Sequence, residues 1–111
     1  MSDGWIGVDL DGTLAEYDGW KSFSIGRPVP AMVERVKNWL AAGREVRILT
    51  ARVSSKVPLN ILVRQRVLID NFCRECFGRE LPLTAEKDYA MLELWDDRVV
   101  HVEKNTGRIL G

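Results

Sequence analysis

An α/β fold built on a mainly parallel sheet is what three features of these 111 residues predict. Short apolar runs alternate with two amphipathic stretches long enough for helices. Those stretches carry helix punctuation, with Pro30 near the start of the first and Gly43 and Gly78 at the two ends. Finally, the polar residues able to do chemistry fall just after the apolar runs, where the strands of such a sheet end and ligands bind.

Trp5–Asp9 reads as a short, buried strand, followed by a long loop or small hairpin over residues 10–29 that holds Tyr17, Trp20 and Phe23. The first helix runs from Pro30 towards Gly43, with Met32, Val33, Val36, Trp39 and Leu40 as its apolar stripe. Val46–Leu49 is the second strand and Arg52–Pro58 a loop. A longer helix follows over 59–77, with Ile61, Leu62, Leu68, Ile69, Phe72 and Cys76 as its core stripe. Leu81–Thr84 is expected as a short third strand and Met91–Trp95 as a fourth. Val99–Glu103 and Arg108–Leu110 flank Lys-Asn-Thr-Gly, a turn sequence that predicts a C-terminal β-hairpin. No repeat, linker or low-complexity tract divides the chain, so residues 1–111 are expected to form a single domain.

Composition narrows the function classes. No apolar run approaches the ~18 residues of a membrane span. The opening Met-Ser-Asp-Gly carries neither a basic region nor a long apolar one, so a cytoplasmic location is expected. Lys plus Arg and Asp plus Glu balance at 16 each, which gives no global field for tight binding to a duplex. The charges are nonetheless segregated: Arg44, Arg47, Arg52, Lys56, Arg64 and Arg66 cluster in one stretch, and acids dominate from Glu86 to Glu103. Cys73 and Cys76 are spaced C-x-x-C, but His101 is the one histidine, too few ligands for a zinc site. They also fall near a helix C-terminus, where the dipole disfavours a thiolate, so a pair of structural free thiols is expected. Trp5, Trp39 and Trp95 read as core, Trp20 as a ligand contact, and His101 as an exposed strand residue.

The chemistry sits at the strand ends. Asp9 and Asp11 close the first strand in Gly-Val-Asp-Leu-Asp-Gly-Thr, Thr50 closes the second, and Asp96-Asp97 close the fourth. Carboxylates brought together repel unless a cation lies among them. A few hard oxygen ligands suit Mg²⁺, which binds through one or two carboxylates plus a phosphate oxygen. An EF-hand fails, because counting from Asp9 puts Leu14 where glycine is needed and Trp20 where glutamate is needed. No Walker A or G-x-G-x-x-G pattern is present either. One carboxylate could then attack phosphorus. A second could protonate the leaving oxygen and activate water. Thr50 can donate a hydroxyl to a phosphate oxygen, and Lys87 can offset charge in the transition state.

Asp9-Leu-Asp11-Gly-Thr, Thr50, Lys87 and Trp-Asp96-Asp97 resemble, in order, the four motifs of the haloacid dehalogenase (HAD) superfamily. The likeness spans Trp5 to about Val102. It implies a three-layer Rossmann-like fold, with Asp9 as nucleophile, Asp11 as general acid/base, and Thr50 and Lys87 binding phosphate. Mg²⁺ would be held by Asp9, Asp96 and the backbone carbonyl of Asp11, with Asp97 as a further metal ligand or a partner of the ligands. Leu10, Gly12, Thr13, Thr50, Ala51, Arg52 and Lys87 are the expected substrate contacts. The superfamily's dehalogenases lack the second aspartate, so Asp11 points to phosphoester hydrolysis. No segment is long enough for a cap domain, which leaves an open site and, around Trp20 and Phe23, an aromatic loop as its lid. The expected substrate is a small phosphorylated molecule or a phosphorylated nucleic-acid end. A homo-oligomer that closes the site would favour a mononucleotide or sugar phosphate. The competing reading is a non-catalytic phosphate-binding or regulatory module on the same fold.

Overall fold

Strand β1, Trp5–Val8, is buried at all four positions and lies at the centre of the molecule. In the computed structural model, which describes residues 4–19 and 23–111, it is followed in chain order by α1 (Pro30–Ala41), β2 (Glu45–Leu49), α2 (Leu59–Phe77), β3 (Leu83–Thr84) and β4 (Met91–Trp95). The four strands form one parallel sheet in the order β3-β2-β1-β4. The residues at the start and end of each helix act as expected. Pro30 opens α1, where its missing N–H costs nothing, and Gly78 closes α2 in the left-handed conformation at φ 72°.

Strand alternation sorts the core. Ile6 pairs with Val46 and Val8 with Ile48, so these four side chains share one face of the sheet. They pack with Met32 and Val36 of α1 and with Ile69, Phe72 and Cys73 of α2 in one cluster. Each large apolar side chain buried there contributes about 1.5–3 kcal/mol. Cys73 is the fully buried thiol of the pair, with Cys76 at the cluster's margin; both are free, and burial pushes the Cys73 thiol up to about 11. Trp39 and Trp95 are half-buried beside this core, with ring centres 5.2 Å apart.

Both helices therefore occupy one face, which corrects the three-layer expectation to two layers among the described residues. The reason is topological. The β1-α1-β2 and β2-α2-β3 crossovers step in the same direction, and right-handed crossovers of that kind place both helices on one side. The return to β4, over residues 85–90, contains no helix. On the opposite face Trp5 is 1% exposed, covered by the Arg47 guanidinium 4.6 Å above its ring. Its indole N–H is bonded to Asp88.

The C-terminal hairpin is reduced to a single antiparallel bridge, Val102 to Ile109. Its turn forms, with Asn105 and Gly107 at positive φ. Among the described residues the flanking segments pair with no further strand, and an isolated two-stranded ribbon is marginal by itself. His101 is exposed there, as expected. Trp20 and the tip of the aromatic loop lie outside the described residues. No helix is long and apolar enough to cross a membrane among those described.

Candidate active site

Parallel strands put their C-terminal ends on one edge, and the Asp9 N–H donates to the Trp95 carbonyl at 2.9 Å. That bond holds the ends of β1 and β4 side by side, so Asp9 meets Asp96 and Asp97. Oxygens of these three carboxylates lie within 4.8 Å of one another. Burial first, and then the charges of Asp96 and Asp97, push the Asp9 carboxyl from its ordinary 3.8 up to about 7. Its own hydrogen bond to Asp97 acts in the same direction.

Thr13 ties the cluster together. Its hydroxyl accepts from the Asp97 N–H at 2.9 Å and has one proton to give, to Asp97 Oδ1 at 3.0 Å or to Asp9 Oδ2 at 3.4 Å. Gly12 makes this approach sterically feasible. It sits at φ 95°, and a Cβ there would lie 2.6 Å from Asp97 Oδ2. The Gly-Thr that follows the paired acids thus has a structural role: glycine lets Asp97 come close and threonine holds it.

At the end of β2, Thr50 is buried and its hydroxyl accepts from the Arg52 N–H at 3.2 Å, capping the one-turn 3₁₀ helix Ala51–Val53. The hydroxyl proton remains for donation. Around these residues lies a cleft of about 740 Å³ lined by Asp9, Asp11, Thr50, Ala51, Arg52, Asp96 and Asp97. That volume falls in the range of small-molecule sites. Tyr17 and Phe23 border it from the loop, Val57, Ile61 and Gln65 from the helix side, and Arg98 from beyond β4.

Several expected contacts are placed otherwise. Leu10 is fully buried in the core, so its side chain is a packing residue. Thr13 and Gly12 support the carboxylates from behind and do not line the cleft. Lys87 is exposed on the connection to β4, outside the cleft lining, and makes no ion pair with the acids among the described residues. That connection must run from the end of β3 to the start of β4. Asp88, next along, already bonds Trp5 at the far end of β1. Asp11 stands apart from the three-carboxylate cluster, because both its oxygens are taken by Arg52, at 2.7 and 2.9 Å.

Gln65 was not among the residues expected at the site. A signal existed: Gln65 lies four residues from both Ile61 and Ile69, on the apolar stripe, and a buried amide there needs a partner. The partner is Arg52 Nη1, at 2.9 Å. Arg98 was visible as the residue following the two acids, and its backbone N–H caps Asp96 Oδ1 at 2.8 Å.

The donor set at Asp9, Asp96 and Asp97 fits a hard divalent cation. All the candidate donors are carboxylate oxygens, they converge within ligand-sharing distance, and the charges of Asp96 and Asp97 add to the burial that raises Asp9. Comparison with protein-family models, with curated proteins and with solved structures finds no match to this chain.

Proposed function

We propose that the protein is a Mg²⁺-dependent phosphomonoester hydrolase of the haloacid dehalogenase type, without a cap, acting through a phosphorylated aspartate. The observation that carries this reading is the convergence of Asp9, Asp96 and Asp97 at the ends of two adjacent strands, beside Thr50. Bound Mg²⁺, held by these carboxylates, would orient a phosphate and offset its charge. Asp9, in the cleft lining, attacks phosphorus and the ester P–O bond breaks. Asp11, protonated on a lone pair that its two Arg52 bonds leave open, supplies that proton to the departing oxygen. Water then attacks the aspartyl phosphate, Asp11 takes its proton, and inorganic phosphate leaves with Asp9 restored. The Thr50 hydroxyl donates to a phosphate oxygen throughout. The cleft exceeds what a phosphate group needs and is flanked by Tyr17 and Phe23, which supports a bulky organic phosphate, a nucleotide or a nucleic-acid end. A cytoplasmic location and assembly with further copies of the chain belong to the same proposal.

A second reading, binding of phosphate without turnover, draws on the engagement of both Asp11 oxygens by Arg52, which favours the ionised carboxylate over the proton donor that turnover needs. Hydrolysis of an aryl phosphate with and without Mg²⁺ separates the two. The hydrolase reading expects Mg²⁺-dependent turnover that Asp9→Asn abolishes while circular dichroism stays unchanged. Full activity in that variant would remove Asp9 as the attacking group.

A further inference from the structure

We infer that Arg52 is a positioning residue, which fixes the Asp11 carboxylate and ties it to the 23–24 segment and to α2. The inference rests on the hydrolase reading and goes beyond it, since Arg52 was expected to contact substrate.

A guanidinium has five N–H donors in a rigid fork. Here all five are given to the protein. Nε donates to Asp11 Oδ2 at 2.7 Å, and Nη2 to Asp11 Oδ1 at 2.9 Å. Nη2 also reaches the Ser24 carbonyl at 3.2 Å, and Nη1 reaches the Phe23 carbonyl at 2.6 Å and Gln65 Oε1 at 2.9 Å. The Arg52 side chain is 3% exposed. A phosphate could gain a hydrogen bond from it only by displacing one of these five acceptors, so that one bond is lost for each one made. Arg52 is therefore built to hold, and what it holds is the acid/base.

The two parallel bonds to Asp11 fix the plane of its carboxylate, as a fork-to-fork pair does and a single contact cannot. The other three donors connect that plane to two separate parts of the fold. Gln65 anchors the fork to α2, and the Phe23 and Ser24 carbonyls anchor it to the loop that borders the cleft. Lysine could not replace it: one ammonium carries three donors on a single nitrogen, without the fork, and cannot serve five acceptors.

The test is a double-mutant cycle on aryl phosphate hydrolysis, using Arg52→Lys, Asp11→Asn and the two combined. Arg52→Lys is expected to lower kcat by on the order of 10-fold to 10²-fold, within the loss that acid/base catalysis covers, with KM changed less than about twofold. In the Asp11→Asn background the same substitution is expected to cost less than about twofold, because its effect passes through Asp11. An equal loss in both backgrounds, or a rise in KM with kcat intact, overturns the inference, the second outcome marking Arg52 as a phosphate contact. Gln65→Met, which removes one acceptor and keeps the ion pair, should give a smaller loss of the same pattern. It serves as the second variant if Arg52→Lys folds poorly. A readout independent of turnover separates this inference from the hydrolase reading. Chymotryptic cleavage after Phe23 should be faster in Arg52→Lys than in the wild type, whose Phe23 and Ser24 carbonyls stay tethered. If the wild type hydrolyses nothing, the hydrolase reading falls and the tether is judged by this rate; unchanged cleavage overturns it.

Discussion

Replacing Asp9 by asparagine should make the metal-free protein more stable at alkaline pH, although it removes the proposed attacking group. The Asp9 carboxyl is raised from 3.8 to about 7 by burial and by Asp96 and Asp97. For an acid raised in this way, the folded state keeps a proton that the unfolded chain releases between about pH 4 and pH 7. Stability contributed by this group is therefore present at pH 4 and lost as pH rises through 7. At about 1.36 kcal/mol for each pH unit the full shift is worth roughly 4 kcal/mol. Asp9 borders an open cleft, and screening by water removes about half, leaving about 2 kcal/mol. Asparagine is nearly isosteric, carries no charge, and can donate its amide to Asp97. Thermal unfolding in the presence of a chelator should thus show the two proteins close together at pH 4. At pH 8, Asp9→Asn should melt higher by about 8 °C, taking roughly 4 °C per kcal/mol for a domain of this size. Mg²⁺ at about 100 times its dissociation constant should add about 2.7 kcal/mol to the wild type and close the gap. Titrating groups away from the cluster are common to both proteins and cancel in the difference, whereas Asp96 and Asp97 titrate together with Asp9 and belong to the predicted effect. A gap of equal size at both pH values, or a wild type that is the more stable at pH 8, would refute the electrostatic reasoning.

The remaining predictions test the geometry around that carboxylate. Asp96→Ala should raise the Mg²⁺ concentration needed for half-maximal hydrolysis and lower the maximal rate, as read by titrating Mg²⁺ against rate; an unchanged midpoint would exclude Asp96 as a ligand. Gly12→Ala should destabilise the fold by about 1–3 kcal/mol through its positive φ and displace Asp97, whose Oδ2 would lie 2.6 Å from the new Cβ. Denaturant unfolding checks the first effect and Mg²⁺ affinity the second. Serine at both Cys73 and Cys76 should leave activity near wild type with modest loss of stability, whereas stoichiometric zinc in the purified protein would overturn the structural role assigned to the thiols.

What could be seen in the sequence was whatever a local pattern determines. Pro30 and Gly78 marked helix ends because their backbone constraints hold in any context. Asp9, Thr50 and Asp96 converged because each follows an apolar run, and parallel strands align such ends. The second helical layer could not be placed from the pattern alone; which face a helix covers depends on strand order, and β4 returns beside β1 with no helix before it. The Asp11–Arg52 pair was equally hidden. Alternation would put Asp9 and Asp11 on the same side, but β1 ends at Val8, and the turn through Gly12 directs Asp11 towards a residue 41 positions away. Lys87 shows the limit of motif spacing, since order along the chain does not say which way a connection faces.

The contact between Trp39 and Trp95 gives the molecule an internal optical probe. Two indoles with ring centres 5.2 Å apart and planes tilted by 57° couple their electronic transitions, and a coupled pair gives a near-ultraviolet circular dichroism signal that depends on their mutual angle. Trp95 is bonded through its backbone carbonyl to Asp9 and directly precedes Asp96. A cation bound among those carboxylates would act on the end of β4, next to one of the two rings. Near-ultraviolet ellipticity recorded while Mg²⁺ is added to the unlabelled wild-type chain would report any such change, whether or not a phosphate ester is being turned over.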